Sequence, residues 1–315
     1  MTDTPHCYFL GRLAAITGAI LVLVMGSASA QQSFKTPEAA AKALINAAKS
    51  GDRRAMVKVL GPDAVEIVSS GDDVADAASR QKFIAAYNAE HRIAKEGKSK
   101  AVVVIGKEDF PFPIPLMRED GAWQFDTVAG RREILYRRIG RNELDAIQAC
   151  LAYVDAQNDY ADEDRTGAGK GVYAERIVSR PGKKDGLYWP SSSANVQSPL
   201  GDLVAEATSE GYRVGGSDGP KPFHGYYFRV LTKQGSGAPG GILDYIVGGK
   251  MIGGFALVAY PAEYRNSGVM TFIVNHTGTV YEKDLGPRTA DLAEKMTSFN
   301  PDQSWQKVDT TNTSQ

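Results

Sequence analysis

The chain predicts an α+β fold in two units: N-terminal cone-like helices on a curved antiparallel sheet, then a C-terminal long helix packed on an antiparallel β-meander. Three observations carry this expectation. Apolar residues recur at helical spacing up to about residue 95, the period then changes to that of strands, and a capped amphipathic stretch from Asn142 precedes a half rich in glycine, tyrosine and β-branched residues. With 315 residues, 43% of them hydrophobic and 23% charged, the chain is long enough for two cores.

The first thirty residues differ from the rest. Arg12 precedes the apolar run Leu13 to Gly26, and Ser27-Ala28-Ser29-Ala30 closes it with small residues, the pattern of a secretory signal peptide cut after Ala30. The run is shorter than the roughly 20 apolar residues of a membrane span. The expected mature chain is therefore periplasmic or secreted, with no stable membrane span after cleavage. Loss of Cys7 with the leader leaves Cys150 alone, which excludes an intramolecular disulfide. A formal charge of -1, from 36 basic and 37 acidic residues, provides no global field for nucleic acid or an anionic membrane.

The first unit, residues 31–137, opens on Thr36-Pro37-Glu38, a helix start with proline in the first turn. The helix runs to about Lys49, burying Ala40, Leu44, Ile45 and Ala48, and Gly51 stops it. A second helix from Asp52 places Met56, Val59 and Leu60 inside and ends at Gly61-Pro62. A third, Ser79 to about Lys95, carries Phe83, Ile84, Tyr87 and His91 at helical spacing. Strand signals follow in residues 101–106 and in the LMRE and WQFD segments, paired across Asp120-Gly121.

The second unit, residues 138–300, begins with Asn142 as a cap and Leu144, Ile147, Leu151 and Val154 as the apolar face of a spine helix. Cys150 falls within that face as a small hydrophobe. Strands are expected at 224–232, 253–261 and 269–286, the last folded back at Asn275-His276-Thr277-Gly278. Residues 301–315 read as a polar tail, with Trp305 docking back. Arg131, Arg132, Arg137 and Arg138, flanked by Glu133 and Glu143, read as a solvated face or a set of salt bridges between the units.

The opening TPEAAAKALINAAKSGDRRAMVKVLGPDA resembles nuclear transport factor 2-like domains, whose cone-shaped fold encloses a sheet-lined pocket. A long helix, a loop carrying GLYWP and a meander resemble the globular part of type IV pilins and pseudopilins, although the polymerising helix of those proteins is N-terminal and hydrophobic. Over the whole mature chain, RRIGRNELDAI, YWP, HGYYFRVL and GGKMIGGFALVAYPAEY look like domain-of-unknown-function family 2950, exported bacterial proteins. That resemblance implies two domains and a secreted location, and no activity.

No residue set has the spacing of a catalytic nucleophile, a metal cluster or a phosphate loop. Ser191, Ser192 and Ser193 lack the flanking glycines of a nucleophile elbow. Tyr87, His91 and Asp126 are candidate groups for a pocket in the first unit, without an acid-base spacing. Asp162, Asp164 and Thr166, before Gly167, have the alternation that opens a calcium loop, but Tyr173 stands where the closing glutamate belongs. His224 and His276 lack a third ligand and read as surface or structural residues. No cofactor other than calcium is expected. The function expected from these residues is an exported, non-enzymatic interaction or scaffold module with an envelope protein as partner. The alternatives are a small-molecule-binding protein using the N-terminal pocket, or a hydrolase or isomerase.

Overall fold

The computed structural model describes residues 31–190, 197–213 and 220–310. The leader, Cys7 and Ser191 to Ser193 lie outside these residues. The fold is mixed helix and sheet, as the α+β expectation requires. No helix among the described residues is long and apolar enough to cross a membrane.

Four helices open the described chain: α1 (Pro37–Ser50), α2 (Arg53–Leu60), α3 (Val65–Val68) and α4 (Asp73–Ala89). Thr36 accepts the Ala39 N–H, and Pro37 occupies the first turn where its missing N–H costs nothing. Gly51 ends α1 at φ 69, a left-handed cap that few residues other than glycine tolerate. Asp52 then caps α2 through the Arg54 N–H. Five strands follow: β1 (His91–Glu96), β2 (Lys100–Ile105), β3 (Phe110–Pro111), β4 (Leu116–Glu119) and β5 (Ala122–Phe125). They form an antiparallel sheet in the order β1-β2-β4-β5, with β3 also paired to β2. In the β4–β5 hairpin Glu119 stands opposite Ala122, and Asp120 and Gly121 both have positive φ, 48 and 82. A two-residue turn of that hand matches the twist of its strands. Leu44, Leu60, Val103, Ile114, Leu116 and Phe125 fill the core between helices and sheet.

The third helix departs from expectation at both ends. It starts at Asp73 because the Asp72 carboxylate accepts the N–H groups of Val74 and Ala75. It stops at Ala89 because residues 91–96 pair with 100–105 across a turn at Gly97. The ladder satisfies the backbone of β1 more fully than a further helical turn ending in solvent, so His91 opens a strand.

A single 35-residue helix, α5 (Thr127–Ala161), follows β5 directly. The expected start at Asn142 is wrong: Asp126 caps the helix through the Ala129 N–H, and Asn142 is buried within it, donating to the Ser267 carbonyl. This contact, with Glu143 accepting the N–H groups of Val269 and Met270, sets which face meets the second sheet. Ala146, Ile147, Cys150, Tyr153, Val154, Gln157 and Tyr160 lie on that face, whereas Leu144, expected inside, is 52% exposed. Residues 137 and 138, the expected border of the two units, lie inside α5, which contacts elements of both cores.

Beyond α5 come α6 (Gly201–Ser209), β6 (Tyr226–Leu231), β7 (Lys233–Gln234), β8 (Leu243–Asp244), β9 (Ile246–Val247), β10 (Lys250–Met251), β11 (Ala256–Pro261), β12 (Met270–Asn275) and β13 (Val280–Asp284). The chain closes with α7 (Thr289–Lys295), β14 (Ser298–Phe299) and β15 (Gln306–Lys307). The main sheet is an antiparallel meander, β15-β13-β12-β11-β6, on which α5 packs. Every residue of β11 is buried, and Tyr226, Phe255, Phe272, Ile273 and Val274 surround it in the core. The tail read as polar from residue 301 supplies β15 to this sheet, and Trp305 packs against the core beneath the Lys283 ammonium. Burial pushes the Cys150 thiol up to about 12, so it serves as a small hydrophobe.

Candidate functional site

Of the three residues expected around an N-terminal pocket, two meet. The His91 ring stacks on Tyr87 with centroids 3.8 Å apart, and its Nδ1 lies 2.9 Å from the Tyr87 carbonyl. Burial raises the Tyr87 phenol above its ordinary range. Asp126 is engaged as the cap of α5. In the acidic loop, Asp162, Asp164 and Thr166 point to solvent, and Asp162 closes α5. Between them Arg165 turns inward, 3.4 Å from Asp159 and 3.1 Å from Glu163. A guanidinium thus occupies the middle of the loop, and the described residues contain no group of three or more His, Cys, Asp or Glu placed to hold a metal.

The densest polar geometry lies where the two cores meet. Arg138, on α5, donates Nη1 to the Glu66 carbonyl at 2.7 Å and to Asn266 Oδ1 at 2.6 Å, and Nη2 to the Ile67 carbonyl. Asn266 in turn donates to the Ser69 carbonyl at 2.8 Å. Arg131 pairs with Glu66, and Arg137 with Glu133 at 2.7 Å. The arginine cluster therefore divides into a half-buried joint at Arg138 and more exposed pairs beside it.

Asp72 lies at the centre of the joint and is 1% exposed. While its Oδ1 caps α4, its Oδ2 accepts the Tyr212 hydroxyl and the Gly225 N–H, each at 2.8 Å. The Tyr212 oxygen also accepts the His224 N–H at 3.2 Å. His224 itself, at φ 48, places Nδ1 2.8 Å from Asp145 on α5 and Nε2 2.7 Å from Glu210 after α6. Four chain segments meet here through one tyrosine, one histidine and three carboxylates.

Burial opposes the charge on His224, but the hydrogen bonds and charges of Asp145 and Glu210 outweigh it and raise the imidazole to about 9. At neutral pH both ring nitrogens carry protons and donate them to carboxylates. A doubly donating imidazolium has no lone pair with which to take a proton, so the group acts as an ionic clamp rather than a general base.

The clamp imposes a pH dependence with a definite sign. Unfolded histidine titrates near 6.5 and the clamped ring near 9, so the stabilisation is complete below about pH 6.5. It declines as pH rises towards 9 because only the folded state still holds the proton. The interval from 6.5 to about 9 is worth about 3 kcal/mol at full value, reduced to about 2 kcal/mol by the partial exposure of the carboxylates. Urea unfolding is expected to show the native protein losing about 2 kcal/mol between pH 6 and pH 9.5, and His224→Gln losing little. Parallel pH profiles for the two proteins would refute the clamp.

Sequence reading missed this cluster. His224 lies 79 residues from Asp145 and 14 from Glu210, and no motif spacing joins them. The only local hint is the His-Gly pair before a strand, a place where the backbone turns through positive φ.

A family model described as "Protein of unknown function (DUF2950)" matches residues 31–308. No curated protein and no solved structure matches the chain.

Proposed function

The chain belongs to the family described as protein of unknown function DUF2950, and from that premise we propose that it is an exported, non-enzymatic interaction or scaffold module of the cell envelope. The observation that carries the proposal is an exposed apolar segment on the second core. Ile242, Leu243, Val247 and Ile252 are 80%, 39%, 50% and 47% exposed within eleven residues. They stand on β8, an outer strand of its small sheet, and around the β9–β10 hairpin, whose turn at Gly248-Gly249 has positive φ throughout. Large aliphatic side chains concentrated in this way on a folded surface mark a place where another protein sits.

The rest of the molecule supports a presenting role. The α1–α2 layer on the first sheet suits the nuclear transport factor 2-like plan, and α5 on the meander suits a pilin-like one. The shared helix and the clamp at Asp72 and His224 hold the two units as one body, and the histidine at the joint is chemically occupied. The leader routes the chain to the periplasm or beyond, where envelope proteins are the available partners.

The test is co-isolation from envelope extracts at native abundance, comparing the natural protein with Ile242→Ser/Val247→Ser/Ile252→Ser. One envelope protein is expected to co-purify with the natural chain and to fall at least tenfold with the variant, whose circular dichroism spectrum stays unchanged. Absence of a stable partner, or equal recovery by both proteins, would sink the proposal.

A further inference from the structure

Arg165, Thr166, Arg180, Gly182, Lys183, Lys184 and Asp185 line an open cleft of about 580 Å³ between the loop after α5 and the turn at residues 180–185. Four of these side chains are cationic and one is acidic. The charges are not equally engaged. Arg180 is neutralised by Asp185, which accepts its Nε at 2.5 Å and its backbone N–H at 2.9 Å. The terminal nitrogens of Arg165 are engaged by Asp159 and Glu163. Lys183 and Lys184 have no acidic partner among the described residues, and both are exposed.

Arg165 supplies the second observation. Its side chain is 8% exposed, yet its Nε–H has no hydrogen-bond partner among the described residues. An unpartnered buried donor is uncommon in native structures, and here it leaves the guanidinium's positive charge short of acceptors in the wall of the cleft. The guanidinium is held in place from other sides: it lies 5.8 Å from the Tyr160 ring centroid and 5.4 Å from that of Trp189. Lys184 is likewise positioned, its ammonium 5.5 Å from the Trp189 ring and its carbonyl accepting the Tyr160 hydroxyl at 2.6 Å. Gly182, at φ 72, makes the turn that brings both lysines to the wall shared with Arg165. The cations are thus arranged before any ligand arrives, which lowers the entropy cost of binding.

We propose that this cleft binds a phosphate group, with the Thr166 hydroxyl and the ammonium groups of Lys183 and Lys184 as its donors and the fixed Arg165 guanidinium as a further positive charge in its wall. A phosphate dianion matches that set better than a carboxylate. It presents acceptor oxygens in several directions to donors arriving from two loops, and it answers two unneutralised ammonium charges. A carboxylate offers two oxygens in one plane and a single charge. The phosphate comes either as the free ion or as the terminal monoester of a larger molecule; the donors are the same. The proposal uses none of the residues of the apolar segment, so it stands or falls separately from the partner reading.

Calorimetric titration of the mature protein with sodium phosphate at pH 7.5, against sodium chloride at equal ionic strength, tests the site. Saturable binding is expected with phosphate alone, and Lys183→Ala/Lys184→Ala is expected to weaken it at least tenfold without moving the melting temperature in phosphate-free buffer. Arg165→Lys keeps a charge but loses the planar group that Tyr160 and Trp189 hold in place, and is expected to weaken binding as well; should it fail to fold, the lysine pair still decides. Methyl phosphate separates the sources, since binding equal to that of the free ion identifies a terminal monoester, and markedly weaker binding identifies the ion itself. Phosphate heats no different from those of chloride, acetate bound as tightly as phosphate, or full affinity in the double lysine variant would each overturn the proposal.

Discussion

Asp72→Ala is expected to lower the unfolding free energy by about 3–5 kcal/mol, because one buried carboxylate serves both a helix and the joint. Its Oδ1 accepts the N–H groups of Val74 and Ala75, and loss of such a cap costs about 1 kcal/mol. Its Oδ2 accepts the Tyr212 hydroxyl and the Gly225 N–H. Without it, two donors in a buried site lose their acceptor, at about 1–3 kcal/mol each. The two losses share a site, so the total falls below the largest sum. Asp72→Asn retains an acceptor oxygen and is expected to cost about half as much. Urea denaturation gives both values, and limited proteolysis adds a second readout: cleavage near residues 210–213 is expected to accelerate in Asp72→Ala before either core unfolds. A loss below about 1 kcal/mol would mean that the joint is held elsewhere, at Arg138.

The contrast between Asp72 and α1 shows how much of the molecule was legible in the sequence. Thr36 and Pro37 at one end of α1 and Gly51 at the other each act on backbone within a few residues of themselves, and the helix they delimit was placed to within one residue. The hairpins at Asp120-Gly121 and Gly278 are local for the same reason, since the turn residues fix the register of the strands they join. What escaped depends on distant partners. Apolar spacing extended α4 through His91 to about Lys95, but the ladder to β2 takes His91 as its first pair, with Ile105. Asn142 has the chemistry of a cap, and its true partner is Ser267, 125 residues away. Once that contact fixes the rotation of α5, Leu144 faces solvent although its spacing to Ile147 is helical.

The candidate sites divide on the same line. Tyr87 and His91 are one helical turn apart in sequence and do meet. Asp162, Asp164 and Thr166 alternate as a cation loop would require, but the residue between them that turns inward is Arg165, whose surroundings include Trp189. The His224 clamp draws on residues from α5, the cap after α6 and the approach to β6 and has no sequence spacing at all. Neither the clamp nor the Lys183–Lys184 cleft could be read before the chain was folded.

Gly130→Ala is expected to destabilise the protein by about 2–4 kcal/mol, and Gly140→Ala to stabilise it by up to about 1 kcal/mol, although both glycines lie inside α5. Helix propensity alone favours alanine at each position by about 1 kcal/mol. The surroundings decide the sign. A Cβ at residue 130 would stand 2.6 Å from the Pro113 carbonyl oxygen and 2.7 Å from the Ile114 Cα, atoms of a backbone segment tied to the helix start by the Asp126 N–H on the Pro115 carbonyl at 2.8 Å. Those atoms cannot rotate away as a side chain can, so the start of α5 must lift off the first core and take part of the Ile114 packing with it. At Gly140 nothing lies within 4 Å of the added methyl, and only the backbone-entropy gain remains. Thermal and urea unfolding of the two variants against the natural chain measures both signs. If Gly130→Ala were as stable as the natural protein, the close approach of α5 to residues 113–114 would not be what holds the first turns of that helix in place.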